Sequence, residues 1–160
     1  MISELNKILS IQNLVDKKAY FMSLLTRETE EKNIRPIVVG GSAVDFYTEG
    51  IFPSYDIDLV GNRKVIGDIL ENIFDFKRSG RHWINEELGI YVEVPGEYLA
   101  GNMDKVTTIK VNDLKLYVIG IEDLITKYPS LNRQQLEIDL IFIYESQAKQ
   151  LNEFIHSHIH

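Results

Sequence analysis

The chain predicts a mixed α/β (α+β) domain, a central mixed β-sheet flanked by helices, with helices at the N-terminus and a long one at the C-terminus. Three observations carry this. Residues 4–32 repeat apolar side chains at helical spacing: Leu5, Ile8, Leu9, Leu14, Tyr20, Phe21, Leu24 and Leu25. Residues 35–128 switch to short β-branched runs interleaved with short helical stretches and punctuated by glycine and proline. From Arg133 to about Ile155 the chain reads as one long helix. The 160 residues fit one domain, divided into a helical segment over 1–34, a core over 35–128 and a C-terminal helix over 129–160.

Taken in order, the first segment breaks near Asp16-Lys17-Lys18, which predicts two helices. Arg35-Pro36 ends it and leads into Ile37-Val38-Val39, a buried strand. Gly40-Gly41-Ser42 follows at once and opens a helix through Ala43-Val44-Asp45-Phe46-Tyr47, closed by Gly50 and Pro53. Tyr55 to Val60 is a second strand with Gly61-Asn62 as its turn, and Val65 to Ile73 a helix. Ile90 to Val94 is a third strand, expected to stop at Pro95-Gly96. Thr107 to Val111 and Leu114 to Val118 form an antiparallel pair about Asn112-Asp113. After Gly120, Glu122 to Tyr128 reads as a short helix. No internal repeat, low-complexity tract or linker interrupts this pattern.

Composition narrows the function classes. The apolar fraction of 44% and charged fraction of 26% are those of a globular chain. No apolar run reaches the roughly 20 residues of a membrane helix, so no membrane association is expected. Met1-Ile2-Ser3-Glu4 lacks the basic and apolar segments of a signal peptide. The absence of cysteine removes disulfides, thiolate metal sites and a Cys nucleophile together, and a cytoplasmic location is the default expectation. A net charge of −7 disfavours extended nucleic-acid binding, which depends on neutralising many phosphates. A small polyphosphate is still compatible, because metal ions and local Lys or Arg neutralise it within one pocket.

The chemistry is carried by two short motifs. In Tyr55-Asp56-Ile57-Asp58-Leu59-Val60, side chains alternate between the two faces of a strand, so Ile57 and Leu59 share one face and Asp56 and Asp58 the other. The roots of two such carboxylates lie roughly 6–7 Å apart, close enough to converge on one cation or a pair. Left alone they repel, and a hard divalent ion such as Mg²⁺ removes that penalty. An acidic outer face of an edge strand is the plainer account of an isolated Asp-x-Asp. Gly40-Gly41-Ser42 lies where a strand hands over to a helix, and there glycine lets the backbone approach a ligand while N–H groups at the helix start favour an anion. An ordinary turn with Ser42 as a helix cap is the plainer account of that motif. It matches neither the phosphate loop ending in Gly-Lys-Ser/Thr nor the spaced glycines of the dinucleotide fingerprint.

Together the two motifs, with thirteen residues between Ser42 and Asp56, resemble the nucleotidyltransferase superfamily, the fold of DNA polymerase β and of kanamycin- and lincosamide-modifying transferases. Its signature is a strand, then Gly-Gly or Gly-Ser opening a helix, then Asp-x-Asp or Asp-x-Glu on the next strand, with a third carboxylate on a later one. The best candidate for that third group is Glu93, in Ile90-Tyr91-Val92-Glu93-Val94, where Val92 and Val94 would face the core. A narrower resemblance is to small prokaryotic proteins related to abortive-infection (AbiEii-type) toxins and to minimal nucleotidyltransferase antitoxins. It rests on Gly41-Ser42-Ala43, Phe46-Tyr47, Asp56-Ile57-Asp58-Leu59, Gly80-Arg81-His82-Trp83 and Ile121-Glu122-Asp123-Leu124-Ile125, and it covers residues 35–128.

The resemblance implies transfer of a nucleoside monophosphate from an NTP to a hydroxyl acceptor, with release of pyrophosphate. Position and charge neutralisation dominate such a reaction. By the same resemblance Asp56, Asp58 and Glu93 would hold Mg²⁺ or Mn²⁺ and carry catalysis, while Gly40, Gly41 and Ser42 would bind the phosphates. Arg81 and Lys127 are weaker candidates for contacts with the nucleotide. Lys77 and Arg78 read as surface, Trp83 as a core aromatic with base stacking as its alternative, and His156, His158 and His160 as a frayed tail. The acceptor is a small molecule, a protein or an RNA end. A homodimer or a partner protein would supply an acceptor platform that 160 residues leave little room for. The competing class is an antitoxin-like or regulatory nucleotide-binding module with weak or no catalysis.

Overall fold

A computed structural model describes residues 1–127; the helix expected over 129–160 lies outside the described residues. Two helices, α1 (Ile2–Ser10) and α2 (Leu14–Glu30), open the chain. Their break is at residues 11–13 and not at Asp16-Lys17-Lys18. Asn13 is extended and its side chain accepts the Asp16 N–H at 3.1 Å, so it caps α2 and draws residues 16–18 into the helix. The local capping bond outweighs the polarity of the Asp-Lys-Lys stretch, and Asp16 sits well at the positive end of the helix.

Seven strands form one sheet: β1 (Ile37–Val39), β2 (Asp56–Val60), β3 (Lys77–Ser79), β4 (His82–Asn85), β5 (Ile90–Gly96), β6 (Thr107–Val111) and β7 (Leu114–Val118). Their order across the sheet is β3-β4-β5-β2-β1-β7-β6. The β1–β7 and β2–β5 pairs are parallel and the other four antiparallel, so the sheet is mixed. Between strands lie α3 (Gly40–Tyr47), α4 (Arg63–Asn72) and a 3₁₀ turn at Met103–Lys105, and α5 (Ile121–Lys127) follows β7.

The two faces of the sheet differ, and strand alternation decides how. Ile57, Val92 and Trp83 are register partners across β2, β5 and β4, and all three are buried. Trp83 packs against Gly67 of α4 so closely that a Cβ there would meet Trp83 Cζ2 at 2.6 Å. Phe21 of α2 completes this layer, its ring 5.3 Å from those of Phe74 and Phe76. The opposite face of the same strands therefore carries Asp58, Glu93 and His82.

Three local features set that second face. The β3–β4 hairpin turns on Gly80-Arg81, with Gly80 at φ +61°, as a two-residue loop beginning with glycine requires. The β5 strand runs through Pro95 to Gly96 where a stop was expected. The register steps from Asp58↔Glu93 to Val60↔Gly96, so two residues of β5 face one of β2. Pro95, which has no N–H for the ladder, sits in that bulge, and the Val94 carbonyl accepts from Arg63 Nε at 3.0 Å. Lastly, Lys18 of α2 is buried beside Asp45 of α3 at 3.0 Å. Lys18 also donates to the Ser54 carbonyl, and Asp45 accepts the Ser54 N–H at 3.2 Å, which anchors the chain entering β2.

Candidate active site

The site begins where β1 becomes α3. Gly40 adopts φ +60°, a left-handed conformation that glycine takes at little cost. A Cβ at Gly40 would lie 3.0 Å from Asp58 Oδ2, so the missing side chain is also what lets the Asp58 carboxylate lie against the turn. Gly41 is the second residue of α3, among the N–H groups that a helix start leaves without an intrahelical partner.

Ser42 is fully buried. Its Oγ donates to the Val39 carbonyl at 2.9 Å and accepts the Asp58 N–H at 2.9 Å. The hydroxyl thus faces the sheet and fastens β2 at Asp58 to the start of α3.

Register then assembles the acidic row. Asp58 pairs with Glu93 across the parallel β2–β5 ladder, and Glu93 pairs with His82 across the antiparallel β5–β4 ladder. Three side chains on three neighbouring strands therefore stand side by side on one face, with Asp56 two residues earlier on β2. His82 Nε2 lies 2.9 Å from Asp56 Oδ2 and 3.5 Å from Glu93 Oε2. Asp56 and His82 are about one-third exposed and Glu93 one-fifth, so the group opens to solvent without being on the surface.

The electrostatics follow from that crowding. Burial pushes the Asp58 carboxyl up to about 6, and the nearby Glu93 and Asp56 carboxylates add to the rise while His82 opposes it. Such a set of oxygen donors, with mutual repulsion that a cation would relieve, fits a divalent metal. One ligand atom each from Asp56, His82 and Glu93 lies within 4.8 Å of the others. A cavity of about 330 Å³ adjoins the row. Gly40, Asp58 and Glu93 form its polar end, and Val60, Pro95, Ile119 and Leu124 its apolar wall.

Asp56, Asp58, Glu93 and Gly40 thus come together, as does Arg81, whose exposed guanidinium places Nε 3.8 Å from Glu93 Oε1 at the rim. Lys127 closes α5, and its side chain lies outside the described residues. Trp83 is in the core, so base stacking on it has no structural basis. Lys77 and Arg78 are exposed on β3, with Arg78 stacked 4.9 Å above the Trp83 ring. His82 also joins the site, a residue that lies in neither of the two motifs. Gly80 followed by an alternating His82-Trp83-Ile84-Asn85 was the available signal for a hairpin, but Lys77-Arg78-Ser79 has no apolar alternation to mark its other strand.

No protein-family model matches the chain, and no curated protein matches it. Among solved structures, it is similar to an antigenic nucleotidyltransferase-like protein from Paracoccidioides brasiliensis, with a TM-score of 0.54 and 15% identity over 91% of this chain and 87% of that one. No described helix is long and apolar enough to cross a membrane. At 15% identity the likeness is one of architecture, and with its seven-stranded mixed sheet between helices the chain has a nucleotidyltransferase-like fold.

Proposed function

We propose that the protein transfers a nucleoside monophosphate from an NTP to a hydroxyl acceptor with the aid of divalent metal. The observation that carries this reading is the packing of the Asp58 carboxylate against the Gly40 turn, with Glu93 beside it and Asp56 on the same strand face. A turn whose helix-start N–H groups lack intrahelical partners suits a polyphosphate, and the carboxylates beside it suit the cations that accompany one. In the transfer, the acceptor hydroxyl gives its proton to water and its oxygen bonds to the α-phosphorus, as the bond from that phosphorus to the oxygen bridging to the β-phosphorus breaks and pyrophosphate leaves.

Asp56, Asp58 and Glu93 would hold the divalent metal. When bound, divalent cations neutralise the triphosphate and lower the pKa of an acceptor hydroxyl. The N–H groups of Gly40 and Gly41 orient the phosphates, Ser42 fixes Asp58, and Arg81 offers an exposed cation at the rim. The apolar wall of the adjoining cavity excludes water from one side of the reacting groups.

The test is calorimetric titration with a non-hydrolysable NTP, with and without Mg²⁺, on the wild type and on Asp58→Asn. Binding is expected only with Mg²⁺ in the wild type and to be lost in the variant. Metal-dependent binding that survives Asp58→Asn unaltered overturns the proposal.

A further inference from the structure

The imidazole of His82 is not among the carboxylates proposed to hold the metal, yet it stands in the same row. Its placement is not a surface accident. The Gly80-Arg81 loop fixes the β3–β4 register, β4 pairs with β5, and His82 falls opposite Glu93. Its neighbour Trp83 is locked into the opposite face against Gly67, which commits His82 to the acidic side.

The distances match a coordination sphere. Around an octahedral ion with ligands at about 2.1 Å, neighbouring ligand atoms are about 3 Å apart and opposite ones about 4.2 Å. His82 Nε2 lies 2.9 Å from Asp56 Oδ2 and 3.5 Å from Glu93 Oε2, and the three ligand atoms all fall within 4.8 Å of one another. Side-chain shifts of a few tenths of an ångström would bring all three to a shared ion. Asp58 also lies against the Gly40 turn, so the row has an Asp58 end at the turn and a His82 end at the hairpin.

We infer that His82 is a nitrogen ligand of the site's metal, and that through it the Asp56–His82–Glu93 group selects later first-row divalent ions over Mg²⁺. The inference rests on the proposed metal-dependent function and names which ions it uses. Oxygen donors alone satisfy Mg²⁺, which dehydrates reluctantly, whereas an imidazole strengthens binding along the series from Mn²⁺ to Co²⁺.

The chain has four histidines, and three of them are His156, His158 and His160. The test therefore uses the full chain carrying His156→Gln, His158→Gln and His160→Gln, so that His82 is the sole imidazole. Pulsed electron paramagnetic resonance of bound Mn²⁺ is expected to show ¹⁴N modulation from a coordinated imidazole, lost in His82→Ala. In calorimetry, His82→Ala is expected to weaken Co²⁺ by about ten- to a hundredfold while Mg²⁺ changes by less than about threefold. His82→Asn, which keeps a polar side chain on the hairpin, should behave as His82→Ala does. If ions bind and Asp56→Asn abolishes that binding, but no ¹⁴N coupling appears and Co²⁺ affinity is unchanged in His82→Ala, then His82 only neutralises its neighbours and this inference falls alone. If no divalent ion binds, or binding survives Asp56→Asn with Glu93→Gln, the proposed function falls with it.

Discussion

The Asp58 carboxylate lies against Gly40, with Oδ2 3.0 Å from where a Cβ at Gly40 would be. One contact joins the strand that bears the acidic pair to the turn that opens α3, and it makes Gly40 answerable for both backbone geometry and carboxylate placement.

Gly40→Ala should therefore act twice. Forcing a residue with a Cβ into φ +60° costs about 1–2 kcal/mol of stability, and the added carbon also displaces Asp58. Urea denaturation should show that loss, and Mg²⁺-dependent NTP binding should weaken more than the stability change explains.

Ser42→Ala leaves the partly buried Asp58 N–H and Val39 carbonyl without the hydroxyl they share. The expected cost is about 1–3 kcal/mol for the groups left unsatisfied. Circular dichroism should report an intact fold with a lower unfolding midpoint. If Ser42→Ala is as stable as the wild type, its hydroxyl does not fasten β2 to α3.

The raised Asp58 carboxyl makes stability fall with pH in a defined window. Its value is about 6 in the fold against 3.8 for the free side chain. Between those values the native state keeps a proton that the unfolded chain has lost, so this group's contribution is fully present below about 4 and is lost as pH rises through about 6. Denaturation curves of the metal-free protein between pH 4 and 7 should show that decline, and Asp58→Asn should flatten it. Divalent-ion affinity should run the other way and rise through about pH 6, because the ion competes with that proton.

Lys18 and Asp45 form a buried pair, with side-chain exposures of 2% and 4%. Lys18→Met strands the Asp45 carboxylate, and breaking such a pair costs about 3–5 kcal/mol. Replacing both residues, as Lys18→Met with Asp45→Leu, should recover part of that loss in thermal denaturation. Because the pair also holds Ser54, two residues before Asp56, metal binding should be impaired in both variants.

Asp56 and Asp58 on one strand face follow from the two-residue repeat of an extended chain, and the β6–β7 hairpin follows from two apolar runs either side of Asn112-Asp113, where Asn112 takes φ +56°. Gly40 was marked by its place between a β-branched run and a helix. The break before α2 was misplaced because a single capping side chain, Asn13, outweighs the charge pattern that follows it. The end of β5 was misplaced because a bulge accommodates Pro95, and a bulge is defined by the partner strand.

Though not β3 and β4, the amino-acid order by itself determined β1, β2, β5, β6, β7, the helices beside them and the two motifs, because those depend on side-chain periodicity and on glycine at one turn, all interactions between near neighbours in the chain. Only the tertiary structure decided that Ser42 turns inward to hold Asp58, and that His82 stands in line with Glu93 and Asp58. Both depend on inter-strand register, which is set by pairing between segments far apart in the chain; a shift of one residue in β4 would have sent His82 to the core and Trp83 to the site.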